Sequence, residues 1–218
     1  MAKTMTPSTR TGQATTSGQI DKAVANYRAL LEKHSREFDS EVVQMVLGQS
    51  ELAGEMFATF LKRVEAVSDL IVRRVTVNRV RTPQEALAAT GRKQYTDRQV
   101  VEAMPKGQGD EVELVFFKLD LSERDGHISD DDLEKEFELR GFIPADPISL
   151  AALNEADPAF ADTYPNGTHW QDADGKWCFA AFDCWHDDER EVDVCRSGRV
   201  LDDDWWFAGL RKSSKLGS

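Results

Sequence analysis

The sequence predicts an α+β protein: an N-terminal helical hairpin, then a small, mostly antiparallel sheet flanked by short helices. Three observations lead there. Near the N-terminus, Ile20, Val24, Tyr27, Leu31, His34 and Phe38 recur at 4-3-4-3-4 spacing, an apolar seam with the heptad period of a helix. Tyr164–Lys212 holds all five tryptophans and all three cysteines and alternates with the period of strands. Between these stretches lie several short runs that each carry helix start and stop signals.

Residues 1–18, rich in Thr and Ser, bury too little to offset chain entropy and read as a disordered tail. The first helix starts near Gln19. Asp39 and Ser40 can cap a second, expected from Glu41 to about Val72, with Val42, Val46, Ala53, Phe57, Phe60, Val64, Val67 and Ile71 on its stripe. Gly48 and Gly54 weaken that helix, each by about 1 kcal/mol relative to Ala. A helical hairpin over 19–72 therefore precedes a compact domain over 73–212, with 213–218 a loose tail.

Val72–Val80 reads equally as strand or as the frayed end of the long helix. Thr82-Pro83-Gln84-Glu85 is a capping box with proline in the first turn, and Gly91 ends the short helix it opens. Thr96-Asp97-Arg98-Gln99 reads as a second capping box, stopped by Pro105. Val112–Leu119 reads as strand. Ser129, with Asp132 three residues on, opens a helix that runs to Arg140 and stops at Gly141. Asp146-Pro147 and Asp157-Pro158 each read as an N-cap followed by proline, predicting helices Ile148–Glu155 and Ala159–Thr163. Asp172-Ala173-Asp174-Gly175 is a hairpin turn. From Trp177 to His186 both alternating faces are largely apolar, the mark of a central strand covered on both sides. Val192 and Val194 point one way, Glu191, Asp193 and Cys195 the other, and Trp205–Leu210 is a last two-sided strand.

The 218 residues carry a net charge of −12, unevenly spread: Lys62–Lys106 has ten Lys/Arg against five Asp/Glu, and Asp110–Asp204 has 27 acids against eight bases. That balance argues against nucleic acid and anionic membrane as partners. No apolar run reaches the roughly 20 residues that span a bilayer. Three cysteines do not make a disulfide framework and point to a reducing compartment, the cytoplasm.

Three groups of residues are candidates for chemistry. Cys178, Cys184, His186 and Cys195 are zinc-type donors, but their spacing matches no zinc pattern and an extended strand parts the first two by about 20 Å; small buried cysteines are the simpler reading. Asp125-Gly126-His127-Ile128 imitates half of a calcium loop, yet Leu121 would occupy a ligand position. No metal and no cofactor is assigned. His169, with Asp172, Asp174, Asp183 and His186 near in sequence, could serve as a general base, or as a half-buried residue satisfied by backbone. Trp177 and Trp185 share one face of their strand and would form an aromatic platform if uncovered. His169, Asp172, Trp177 and Trp185 are thus the binding candidates, and Ile20, Val24, Tyr27, Leu31 and Phe38 the interaction candidates.

Arg81–Tyr95 (RTPQEALAATGRKQY), Ala145–Trp170 (ADPISLAALNEADPAFADTYPNGTHW) and Trp205–Lys212 (WWFAGLRK) together resemble a family of bacterial proteins with no assigned activity. The resemblance covers roughly Arg81–Lys212, leaves out the N-terminal helices, and carries over no functional residue. The expected function is a non-enzymatic binding or assembly protein, with a protein partner or a second copy met through the N-terminal helices and a surface presented by the acidic domain. One alternative is a small hydrolase or metal-dependent enzyme centred on His169. Another is an acidic decoy for a nucleic-acid-binding partner.

Overall fold

The structure, a computed structural model, describes residues 15–65, 70–121, 126–185, 189–196 and 204–212. It divides into two compact units, Met1–Val67 and Ser68–Ser218.

The first unit contains α1 (Ser17–Lys33), a 3₁₀ turn (Ser35–Glu37), α2 (Ser40–Leu47) and α3 (Leu52–Glu65). Thr16 caps α1 through a reciprocal capping box with Gln19, and Asp39 caps α2 by accepting from the amides of Glu41 and Val42. The helix expected over Glu41–Val72 is two helices. Gly48 is the C-cap of α2, so the weakness that glycine brings to a helix interior becomes a break. The expected helix also ends early: Ile71 and Val72 belong to the first strand of the second unit, where β-branched neighbours favour extended backbone. Within the first unit no described side chain is buried.

The second unit is α+β, with strands β1 (Leu70–Thr76), β2 (Lys93–Thr96), β3 (Glu111–Lys118), β4 (Phe142–Pro144), β5 (Asn166–Gln171), β6 (Trp177–Trp185), β7 (Glu189–Arg196) and β8 (Trp206–Arg211). Its helices are α4 (Pro83–Ala89), α5 (Arg98–Glu102), α6 (Asp130–Leu139), α7 (Pro147–Ala156) and α8 (Phe160–Thr163). The described strands form one sheet in the order β1-β3-β8-β5-β6-β7-β2, with β4 also paired to β8. Pairing is antiparallel except for β2 with β7 and β5 with β8. The C-terminal strand β8 sits between β3 and β5, so it joins the two halves of the sheet.

Helices cover both faces. One core gathers Leu114 and Phe116 of β3, Cys178, Ala180 and Phe182 of β6, and Val192 and Val194 of β7 beneath α4, α5, α7 and α8. The other gathers Val115, Phe117, Phe179, Ala181 and Phe207 against Leu133 and Phe137 of α6. The two-sided pattern of β6 and β8 is thereby accounted for: each is interior and covered twice.

Local signals hold with small shifts. Thr82 and Glu85 form the expected capping box, and Ser129 caps α6 through the amide of Asp132. The second expected box differs: Asp97 is the N-cap of α5, accepting from Gln99 and Val100, because Thr96 is drawn into β2 beside Val194. Asp157 does not cap α8, whose N-cap is Ala159 without a side-chain bond. Two short strands, β2 and β4, had no signal of their own. Each is held by a longer neighbour, β7 and β8 respectively.

Candidate functional site

The candidate site lies where the sheet parts. One edge of β8 serves two strands: Trp206 and Phe207 pair with Asn166 and Gly167 of β5, and Gly209–Arg211 pair with Phe142–Pro144 of β4. Past Gly167 the two strands go separate ways, and Thr168 Oγ1 donates to the carbonyl of Ala145 at 2.7 Å across the base of the parting. A cleft of about 810 Å³ opens there. His169, Trp170 and Gln171 all line it, although successive strand side chains point to opposite faces. The cleft therefore cuts through the plane of the sheet. Its other walls include Asp131, Glu134 and Glu138 of α6, Ile143 and Pro144 of β4, and Trp177.

His169 is the centre of this arrangement, only 1% exposed. Its ring is stacked between Trp177 (centroids 4.6 Å apart, planes 11° apart) and Phe137 (5.5 Å, 26°). Nδ1 meets Asp130 Oδ1 at 3.3 Å, and Nε2 lies 3.3 Å from Glu134 Oε2. Asp130 and Glu134 are one helical turn apart, so α6 presents both to the same ring. Both ring nitrogens thus face carboxylate oxygens, which can only accept. Glu134 is near Nε2 without the alignment of a hydrogen bond, which leaves that buried nitrogen without a hydrogen-bond partner. The indole Nε1 of Trp170 is a second buried polar atom in that condition. Trp177 Nε1, by contrast, donates to Asp131 Oδ1 at 3.0 Å. Enclosed by the two flanking rings and the two carboxylates, the imidazole is held in place within the wall of the cleft.

The acids expected beside His169 are elsewhere. Asp172 holds the β5–β6 turn: Oδ1 accepts from the amides of Asp174 and Lys176, and Oδ2 from Arg196. The Lys176 amide first, then Arg196 and the Asp174 amide, hold its carboxyl below the usual carboxylate range. Asp183 lies four residues along β6 from Phe179, the cross-strand partner of His169, about 14 Å away. The alternative of backbone satisfaction is also corrected: His169 meets side-chain carboxylates from α6. Sequence reading missed Asp130, Glu134 and Trp170. The i, i+4 spacing of Asp130 and Glu134 was legible, as was that of Leu133 and Phe137, but which strand lay under α6 was not.

Trp177 and Trp185 share a face of β6 but stand at its two ends, about 27 Å apart, so they do not form one platform. Trp185 is 52% exposed and lines a separate, polar cleft with Lys93, Asp162, Glu189 and Arg190. Cys178 and Cys195 face opposite sides of the sheet, and burial pushes both thiols up from their ordinary range. No group of three or more His, Cys, Asp or Glu among the described residues is placed to hold a metal ion. His186 and Asp125 lie outside the described residues.

Behind the cleft, Arg79 ties the 105–109 loop to the start of α7. It donates to the carbonyls of Lys106 and Gly109, to Ser149 Oγ at 2.8 Å and to Asp146 at 2.7 Å. Gly107 has φ +67°, and a Cβ there would overlap the Asp146 carboxylate, so glycine is required on both counts.

No family model, curated protein or solved structure matches the chain.

Proposed function

We propose that the protein is a non-enzymatic binding and assembly protein that meets a second copy of itself through its N-terminal helices, leaving the acidic unit to present a surface. The observation that carries this reading is the uncovered seam of the first unit. Ile20, Val24, Tyr27 and Leu31 of α1, at heptad spacing, are 44–62% exposed, and Phe57 and Phe60 of α3 are exposed as well; the seam is shorter than the sequence predicts, because α1 ends at Lys33 and Phe38 lies in extended backbone after the 3₁₀ turn. An apolar stripe of that kind is a surface for another helix.

Charge favours a second copy as the occupant. Met1–Val67 carries eight Lys/Arg and eight Asp/Glu, whereas Ser68–Ser218 carries 19 and 31, so the whole net charge of −12 belongs to the second unit. Two acidic units repel, and the neutral unit is the part of the chain that can meet its own copy without that cost. No described helix is long and apolar enough to cross a membrane. A cytoplasmic setting fits three cysteines without a disulfide.

Light scattering on the full chain over a range of concentrations tests the reading, with the Val24→Asp/Leu31→Asp double variant beside it. The expected result is a defined oligomer for the parent and a monomer for the variant, with equal helix content by circular dichroism. A parent that is monomeric throughout overturns it.

A further inference from the structure

We propose that the contact between copies is made by α1 against α1 of a second copy, running antiparallel, with Asp21 of each helix beside Arg28 of the other. The proposal rests on self-association through the first unit and adds its orientation and register. α1 is the longest helix of that unit, 17 residues against eight in α2 and 14 in α3. Its stripe of Ile20, Val24, Tyr27 and Leu31 is 44–62% exposed and so is open to a partner. On a helix of about 3.6 residues per turn, Asp21 and Arg28 fall on one flank of that stripe, and Ala23 and Leu30 on the other. Lys22, Asn26 and Lys33 lie away from it. Residues on the two flanks of a seam choose between a parallel and an antiparallel pair.

In an antiparallel pair each flank meets its own copy. With Ile20 opposite Leu31 and Val24 opposite Tyr27 of the second helix, Asp21 lies beside Arg28 on one flank and Ala23 beside Leu30 on the other. The twofold axis repeats every contact, so each acid meets a base and each Leu30, 56% exposed, meets a small side chain. In a parallel pair the flanks cross. Arg28 then lies beside Ala23, and Asp21 beside Thr16, the N-cap, so neither charge finds its opposite. Asp21 and Arg28 are both exposed. Arg28 Nε holds Glu32 of its own helix at 2.8 Å, and the guanidinium has further N–H groups for a second carboxylate.

The test is sedimentation of the full chain as Asp21→Arg, as Arg28→Glu, and as an equimolar mixture of the two. Both replacements are good helix formers, and circular dichroism of each variant checks that α1 is kept. Either variant alone sets like charges against each other twice across the axis. In the mixture every introduced charge again faces its opposite. The expected result is self-association about tenfold weaker in each variant alone, with the parent's affinity regained in the mixture to within about threefold. The orientation is overturned if both variants associate as the parent does, or if the mixture stays as weak as its components. A parallel pair, or α1 docked on α3 of the second copy, would give that result, and self-association would still stand. A parent that is monomeric at every concentration overturns both.

Discussion

Phe57 and Phe60 in α3 are 63% and 54% exposed, whereas Phe116 and Phe117 in β3 are 0% and 1% exposed. The difference lies in what the local structure can cover, not in residue type. A lone amphipathic helix turns its apolar stripe to one side and depends on a partner to bury it. An interior strand has a neighbour on each edge and, when helices cover both faces, buries every second residue on either side. The first unit therefore keeps its apolar surface available, and the second spends its own on two cores. Stability should reside in Ser68–Ser218 and association in Met1–Val67.

That contrast can be broken by substitution. The largest expected effect is Phe117→Ala, which removes a ring packed edge-on against Phe137 at 4.9 Å and should cost about 3–5 kcal/mol in a urea melt. An effect near zero would mean that the core beneath α6 is not close-packed. Next comes Gly209→Ala on β8, whose Cβ would lie 3.0 Å from Phe137 Cε1 and 3.2 Å from the carbonyl of Ile143; about 1–3 kcal/mol should be lost. Thr82→Ala removes the capping box of α4 and should cost about 1 kcal/mol, measured as a shift in denaturation midpoint.

Asp172→Asn should show an effect that depends on pH. The folded carboxyl sits below its ordinary range, so its charged form stabilises the fold above the unfolded pKa of about 4, and that contribution is lost as pH falls through the lower folded value. The gap between parent and variant should stay constant from neutral pH down to mild acid and close on further acidification. A gap that widens in acid contradicts the assignment. The smallest effect belongs to the first unit: Leu31→Ala should change the stability of the monomeric chain by no more than about 0.5 kcal/mol while weakening association. A loss comparable to Phe117→Ala would erase the contrast between the two units.

Much of the fold was legible because its signals are local. Thr82 with Glu85, Ser129 with Asp132, and Gly175 in the hairpin turn each act over three or four residues, and the chemistry of a cap or a positive φ needs nothing more distant. The two-sided apolar pattern of Trp177–Trp185 likewise announced an interior strand. The site was legible only in part. His169 stood out as a residue type at a strand entrance, but its partners come from a helix 39 residues earlier in the chain, and the acids nearest in sequence serve the turn instead.

The sequence by itself therefore determined most element types, caps such as Thr82, Ser129 and Asp146, the uneven charge and the apolar stripe of α1, since each is set by neighbours in the chain. The tertiary structure decided which strands neighbour which, that β8 joins the two halves of the sheet, that β2 and β4 are strands at all, and that β4 and β5 part beside His169. Those outcomes depend on which distant surfaces bury one another. Side-chain spacing limits that choice, but only packing of the whole unit selects it.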